Sequence, residues 1–343
     1  MLLLLSAALA EEPKFAVTPY GFVRPGFAWR QDDPSLATDT DGFYVAARMG
    51  LEAGSEAYRV RARIEVELQP EPSLTDAFVN ISPSQVLSLN LGQLKVPYSI
   101  EYLAAETRRQ LPNNASAVDQ GSFGRDIGAL LEVRLPVAQK VRATLSGGAF
   151  NGEGRNRVEN VNDKLLYAAR LNITPLGGRE RPYEGTGRDV FLGVGGGYVY
   201  NFTGEGQSAV EVNAFAAEVQ FAVSVFSIQG EFLDKEVVHG DTTVDDFHTT
   251  GAYGQIGSFI PAPFVRDHLE IVLRGGWSDP NTAYDTAGFQ EELALEGGIN
   301  LYVPEAPKWM HDTKLQLAYR HTIQLEGAVL DDDRFDVVGA VRF

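Results

Sequence analysis

The sequence predicts an all-β fold, a transmembrane antiparallel β-barrel of about sixteen strands. The first observation is the C-terminal stretch. Phe335, Val337, Gly339, Val341 and Phe343 share one parity, while Arg334, Asp336, Val338, Ala340 and Arg342 share the other. This is a period-two strand with one apolar and one largely polar face, and it ends on an aromatic residue. The second observation is Tyr58 to Leu68. Tyr58, Val60, Ala62, Ile64, Val66 and Leu68 oppose Arg59, Arg61, Arg63, Glu65 and Glu67. Five successive charges on one strand face carry a very large desolvation cost in a dry core and little cost against a wet lumen. The third is composition. Charged residues make up 22% and mean hydropathy is -0.14, too polar for a helical membrane protein. The one long apolar run, at the N-terminus, falls short of the ~18 residues a spanning helix needs. A barrel hides in such a composition because each strand alternates. An edge strand of a soluble sandwich would account for the C-terminal stretch, but not for the charged face of 58–68.

The N-terminal MLLLLSAALA reads as a short signal peptide, residues 1–10. Leu2 to Leu5 form its apolar core, and Ala8-Leu9-Ala10 an A-x-A cleavage pattern. It lacks a basic segment, so the start is misassigned or truncated. Residues 11–343 then form a single barrel with no linker or internal repeat. Strands are expected near 17–30, 43–53, 58–68, 74–82, 87–97, 125–135, 141–150 and 164–174. Eight more follow near 189–200, 209–222, 225–233, 247–260, 268–278, 289–303, 313–324 and 333–343. An even count puts both termini on the periplasmic side. Odd connections should then be long outer loops, as 98–124, 151–163, 234–246 and 279–288 are. Even ones should be short turns, as 54–57, 83–86, 136–140 and the one near 223 are. The third, around Pro70 and Pro72, is short for an outer loop, and the eighth, 175–188, is long for an inner turn. Trp29, Tyr58, Tyr200, Trp277 and Phe343 suit aromatic girdles.

Cysteine is absent, so neither disulfides nor thiolate metal sites are available. The net charge of -17 argues against nucleic acid. Much of it falls between expected strands: Asp32, Asp33, Asp39 and Asp41, then Asp234, Glu236, Asp241, Asp245 and Asp246, then Asp331 to Asp333. Such loops either bridge cations to outer-membrane lipid and lipopolysaccharide or simply keep the chain solvated. The five histidines show no ligand spacing, no G-x-S-x-G elbow is present, and no catalytic residue, metal or cofactor is expected. Gly193 with Gly195 to Gly197 sits in a strand, where strand packing or curvature explains it better than a phosphate loop.

What remains is a charged lumen. Inward basic residues on this register include Arg24, Arg48, Arg59, Arg61, Arg63, Arg134, Arg142, Arg170, Arg274, Arg320 and Arg342. Inward acidic residues include Glu52, Glu65, Glu67, Asp76, Glu132, Glu231, Glu270, Glu292 and Glu296. Charges on facing walls set a transverse field that sorts small solutes. The Arg59, Arg61 and Arg63 ladder either guides anions stepwise or pairs with carboxylates and stiffens the wall. Connection 98–124, with Glu101, Glu106, Arg108 and Arg109 between Lys95 and Arg125, is the candidate constriction loop. Folded inward it narrows the lumen, and standing outward it is surface only.

GQLKVPYS at 92–99 followed by Glu101, GAFNG at 148–152 followed by Asn162-Asp163, and FSIQGEF at 226–232 resemble segments of the phosphate-selective porins O and P. The resemblance implies a sixteen-stranded, homotrimeric outer-membrane diffusion channel for small hydrophilic solutes, with anions such as phosphate as candidate cargo. It also implies that Lys95, in the G-Q-x-K-x-P pattern, is a basic pore residue, although the alternation slips near Gln93. The chain departs from the family's rich basic path, having 7 lysines and a lumen of mixed sign. The alternative is a non-conducting structural or partner-binding barrel sealed by 98–124. An outer-membrane hydrolase would need an exposed Ser/His pair, which the sequence does not offer.

Overall fold

The computed structural model describes residues 15–31, 41–69, 71–138, 141–177, 190–266, 268–284, 290–303, 313–326 and 332–343. The leader segment 1–10, the acidic Asp32, Asp33, Asp39 and Asp331, and most of 175–188 lie outside them. Sixteen strands follow in order: β1 (Ala16–Arg30), β2 (Gly42–Ser55), β3 (Val60–Glu67), β4 (Ser73–Ile81), β5 (Leu87–Lys95), β6 (Arg125–Pro136), β7 (Arg142–Phe150) and β8 (Leu166–Leu176). Then come β9 (Phe191–Thr203), β10 (Val210–Val223), β11 (Phe226–His239), β12 (Phe247–Phe259), β13 (Leu269–Asp279), β14 (Glu292–Tyr302), β15 (Lys314–Gln324) and β16 (Arg334–Arg342). Each pairs antiparallel with its sequence neighbours, and β1 pairs with β16 to close the barrel. Closure leaves no open edge, the condition for a sheet in hydrocarbon.

The period-two alternation decides which way each side chain points. Phe43, Met49, Leu51, Ile64, Leu131, Leu145, Phe215, Leu273, Leu295 and Phe343 are exposed on the outer wall. Their strand neighbours of opposite parity, such as Asn90, Arg170, Gln255, Arg274 and Gln316, are buried inside it. Gly21 and Phe343 exchange both backbone hydrogen bonds, each at 3.0 Å, so the terminal aromatic completes the seam. A Cβ at Gly21 would lie 2.6 Å from the Arg48 carbonyl oxygen and 2.9 Å from the Phe343 ring, which is why the seam carries glycine there.

Two expectations about elements need correction. β3 begins at Val60, so Tyr58 and Arg59 belong to the turn after β2, and Arg59 has a left-handed φ of 54°. A strand cannot accommodate that backbone, and four rather than five charges remain on the inner face of β3. Thr75 is inserted opposite the Glu65/Val66 step as a bulge. β11 runs on to His239, so Asp234 and Glu236 stand on its outer face and not in a loop. Asp234 accepts hydrogen bonds there from Thr250 Oγ1 at 2.6 Å and lies 3.2 Å from His248 Nδ1. Paired polar groups at the rim of a barrel meet water and headgroups, so they do not end a strand.

The connection between β5 and β6 is folded inside the barrel. It contains α1 (Ile100–Leu103), a 3-10 turn at Glu106–Arg108 and α2 (Ser116–Gly121), and α2 packs on β11, β12 and β13. Val96, Tyr98, Ala115, Ala117 and Val118 of the connection join Val199, Ala214, Ala216, Leu233 and Tyr253 of the wall in the main apolar cluster. Small wall residues mark its footprint. A Cβ at Gly197 would lie 3.0 Å from Tyr98 O, one at Gly251 2.6 Å from Ala117 Cβ, and one at Gly298 2.6 Å from Leu111 Cδ2. The glycines of 193–197 are therefore only partly a matter of strand packing, because Gly197 makes room for the loop.

Candidate functional site

The loop is held to the wall by buried polar groups. At its start, Ser99 Oγ and Ile100 N donate to the two oxygens of Glu231 on β11, each at 3.0 Å. Glu101 is fully buried and accepts from Arg274 Nη1 at 2.7 Å and from Ala115 N at 3.1 Å. Arg274 in turn grips Glu296 through Nε and Nη2 at 2.9 and 2.8 Å, a bidentate pair. Arg320 shares Glu296 at 3.0 Å and donates to Asn114 O at 2.8 Å. Gln110 reaches Glu270 at 2.6 Å, and Gln255 donates to Gln110 at 2.7 Å. Arg109 is buried, and its carbonyl accepts from Lys314 Nζ. A buried charge is tolerable only when paired, and each of these carboxylates has a donor.

This arrangement divides the lumen. Along β8 to β15 the loop lies against the wall. Along β1 to β6 and β16 a cavity of about 300 Å³ remains, walled on the loop side by Leu103, Ala105, Glu106 and Thr107. Arg48, Arg63, Lys95, Arg125 and Arg342 face it together with Glu65, Asp76, Glu106 and Glu132. Glu106 binds Arg24 Nη1 at 3.1 Å and Arg48 Nη2. Arg125 Nε donates to Asp76 at 2.6 Å, and Arg63 Nη2 to Glu65 at 2.8 Å. Lys95 Nζ donates to the carbonyls of Tyr102, Leu103 and Ala104 at 2.5, 3.3 and 3.0 Å, fastening the end of α1. Gly92, at φ +129°, breaks the regular alternation of β5, and Gln93 and Leu94 after it are both buried.

Glu106, on the connection and not on a spanning strand, gauges the local field. Burial by itself raises its pKa, yet Arg48, Arg109, Arg24 and Lys95 outweigh burial and hold it at about 2. Arg108 is half-buried beside it on the same turn.

A second cavity of about 780 Å³ opens at the end of the barrel that carries the even connections. Glu52, Arg59, Arg61 and Arg134 line it. Arg61 Nε sits 3.1 Å from Glu52, Arg134 Nη2 2.9 Å from Glu132, and Arg59 Nη1 donates to Pro83 O at 2.6 Å. The ladder is thus split: Arg63 lies at the constriction, Arg61 below it, and Arg59 on a turn at the mouth. Arg142 lies at the same mouth and donates to Ala138 O at 3.2 Å.

Six residues expected to line water do not. Arg24, Arg170, Arg274, Glu231, Glu270 and Glu296 are on the inner wall but buried, Arg170 against Glu218 and the other five under the loop. Glu292, at the start of β14, accepts from Ser278 at 3.3 Å, far from the constriction. Two contributors were not read from the sequence. Glu218 shares parity with Gln220 on β10, a signal that alternation carries. Arg155, after β7, reaches back over the lumen to Glu67 at 3.1 Å, and no local pattern announces it.

The phosphate-selective porin O and P family matches residues 43–303. Among solved structures, a loop-deletion mutant of the outer membrane protein OmpT of Vibrio cholerae is similar, with TM-score 0.64 and 10% identity over 96% of this chain and 99% of that one. OmpF of Salmonella typhi, in complex with daunomycin, gives 0.64 at 14% identity over 95% and 97%. An anion-selective porin from Comamonas acidovorans gives 0.61 at 13% identity over 96% and 99%. At such identities the likeness is one of fold. No curated protein matches the sequence. The family match covers most of the barrel, including the in-folded loop and the strands from β9 to β14 that pin much of it, and the chain belongs to the phosphate-selective porin O and P family, as an outer-membrane porin through which small solutes diffuse.

Proposed function

We propose that the channel favours small anions, and that Arg48, Arg63, Arg125 and Arg342 supply the attraction at the constriction. The observation that carries this is geometric: Arg48, Arg63, Arg125 and Arg342 face the narrow cavity, and Arg24 and Arg48 clamp Glu106 beside it. Arg48, Arg109, Arg24 and Lys95 hold the Glu106 carboxyl well below its ordinary range although burial alone would raise it, in keeping with a positive potential there. The acidic surface does not cancel that field, since exposed charges farther than about 10 Å are largely screened at 0.1 M salt. On this reading the in-folded loop sets pore width, while Arg274, Glu296, Glu101 and Glu231 only hold it. Lys95 acts as a fastener and not as a solute ligand, because its ammonium is committed to three carbonyls.

The same reading includes a homotrimer, in keeping with a trimer form described for OmpT of V. cholerae. It also includes a leader at 1–10, contacts of the acidic rim with lipopolysaccharide, and transport without catalysis. The test is conductance of the refolded protein in a planar bilayer under a KCl gradient. Discrete steps with a chloride-selective reversal potential are expected. A potassium-selective potential would overturn anion preference.

A further inference from the structure

The constriction is only half polar. Beside its charged groups the 300 Å³ cavity is lined by the half-buried rings of Tyr20, Phe22 and Phe78 and by Leu94 and Leu130, buried members of the apolar cluster. Phe22 carries the Arg48 guanidinium over its ring at 5.5 Å, and Tyr20 carries that of Arg63 at 4.8 Å. Each arginine thus has one face against an aromatic ring, which fixes the direction of its remaining donors. Arg48 uses Nη2 for both Glu67 and Glu106, and its Nε is buried. Among the described residues Nη1 makes no hydrogen bond, so it is the donor left for a solute.

An apolar arc beside an open guanidinium donor is a poor match for a compact inorganic oxyanion. Phosphate needs polar groups on every side once it sheds water, and apart from the Tyr20 hydroxyl the arc offers none. A carboxylate with a compact apolar body matches both halves. Its ring removes apolar area from water against Phe22 and Phe78, while its oxygens meet Arg48 and Arg63. The carboxylates Glu65, Asp76, Glu106 and Glu132 also face this space and disfavour a second negative charge on the solute.

Resting on the anion-channel reading, we propose that the constriction is a transient binding site for small monocarboxylates with an apolar ring, the benzoate class, in preference to inorganic phosphate. The experiment measures block of single-channel KCl current by benzoate and by phosphate at one pH, using the refolded full chain. Benzoate should halve the current at a concentration about tenfold lower than phosphate does. Phe78→Ser, which removes the ring from the arc, should collapse that ratio towards one, and Phe22→Ser should act in the same direction. Equal or stronger block by phosphate in the unaltered protein would overturn the proposal without needing any variant. So would a ratio unchanged in a conducting Phe78→Ser channel. Chloride selectivity with no benzoate preference would sink this inference alone, whereas potassium selectivity would remove the reading beneath it.

Discussion

Glu106 is the residue on which selectivity can be weighed. It removes one positive equivalent from the constriction by pairing with Arg24 and Arg48. A unit charge at 4 Å is worth about 1 kcal/mol even in water. Glu106→Gln should therefore raise the chloride-to-potassium permeability ratio on the order of fivefold, read as a shift in reversal potential. Its folded pKa is depressed to about 2. The stabilisation from its ion pairs is present above the ordinary carboxylate range and is lost only as pH falls through about 2. The shift caused by Glu106→Gln should accordingly be the same size at pH 7 and at pH 4. A shift that vanishes at pH 4 would mean the carboxyl is already protonated there. At this scale the sequence was legible in part. Arg48, Arg63 and Glu65, which parity reads as inward, line the cavity. It could not tell that Arg274 and Glu231 would be roofed over, because parity reports the face of a strand and not what covers it.

The element that sets pore width on the proposed reading is the connection 96–124, and its position depends on partners distant in sequence. Arg274 joins Glu101 on the loop to Glu296 on β14. Arg274→Met would leave the buried Glu101 without its arginine and Glu296 with Arg320 alone, at a cost of about 3–5 kcal/mol. The expected outcome is a barrel that unfolds at lower temperature and shows noisier open-state current. A quiet current with unchanged unfolding would show that the loop is held by its apolar contacts alone. Lys95→Met removes three donors from the end of α1, each worth about 1 kcal/mol. It should increase closures in single-channel records while the barrel itself stays as resistant to heat as before. Length and mixed charge singled this connection out in the sequence, and inward or outward placement stayed open. The footprint was nevertheless written in the wall: Gly197, Gly251 and Gly298 are small at inward positions where the loop comes close.

For the whole molecule, closure is the defining event, and it is made at β1 and β16. Phe343 supplies a reciprocal pair of backbone bonds to Gly21 and packs its ring near that glycine. Deleting Phe343 should lower the yield of folded barrel in detergent, read as loss of the heat-sensitive fast band on a gel, by more than deleting one residue from a surface loop. Equal yields would show that the seam closes without it. All sixteen strands were legible in the sequence to within a few residues, except that β11 runs six residues beyond its expected end. The reason is physical. A membrane demands that every spanning strand satisfy its backbone through its neighbours and show lipid one apolar face, so period two is imposed strand by strand and survives in the sequence. The sequence by itself therefore determined the barrel, its strand order and the sign of each face. Only the tertiary structure decided which inward charges meet solute. That depends on where a 29-residue connection comes to rest, and its resting place is chosen by long-range ion pairs and by gaps in the opposite wall, for which no local pattern codes.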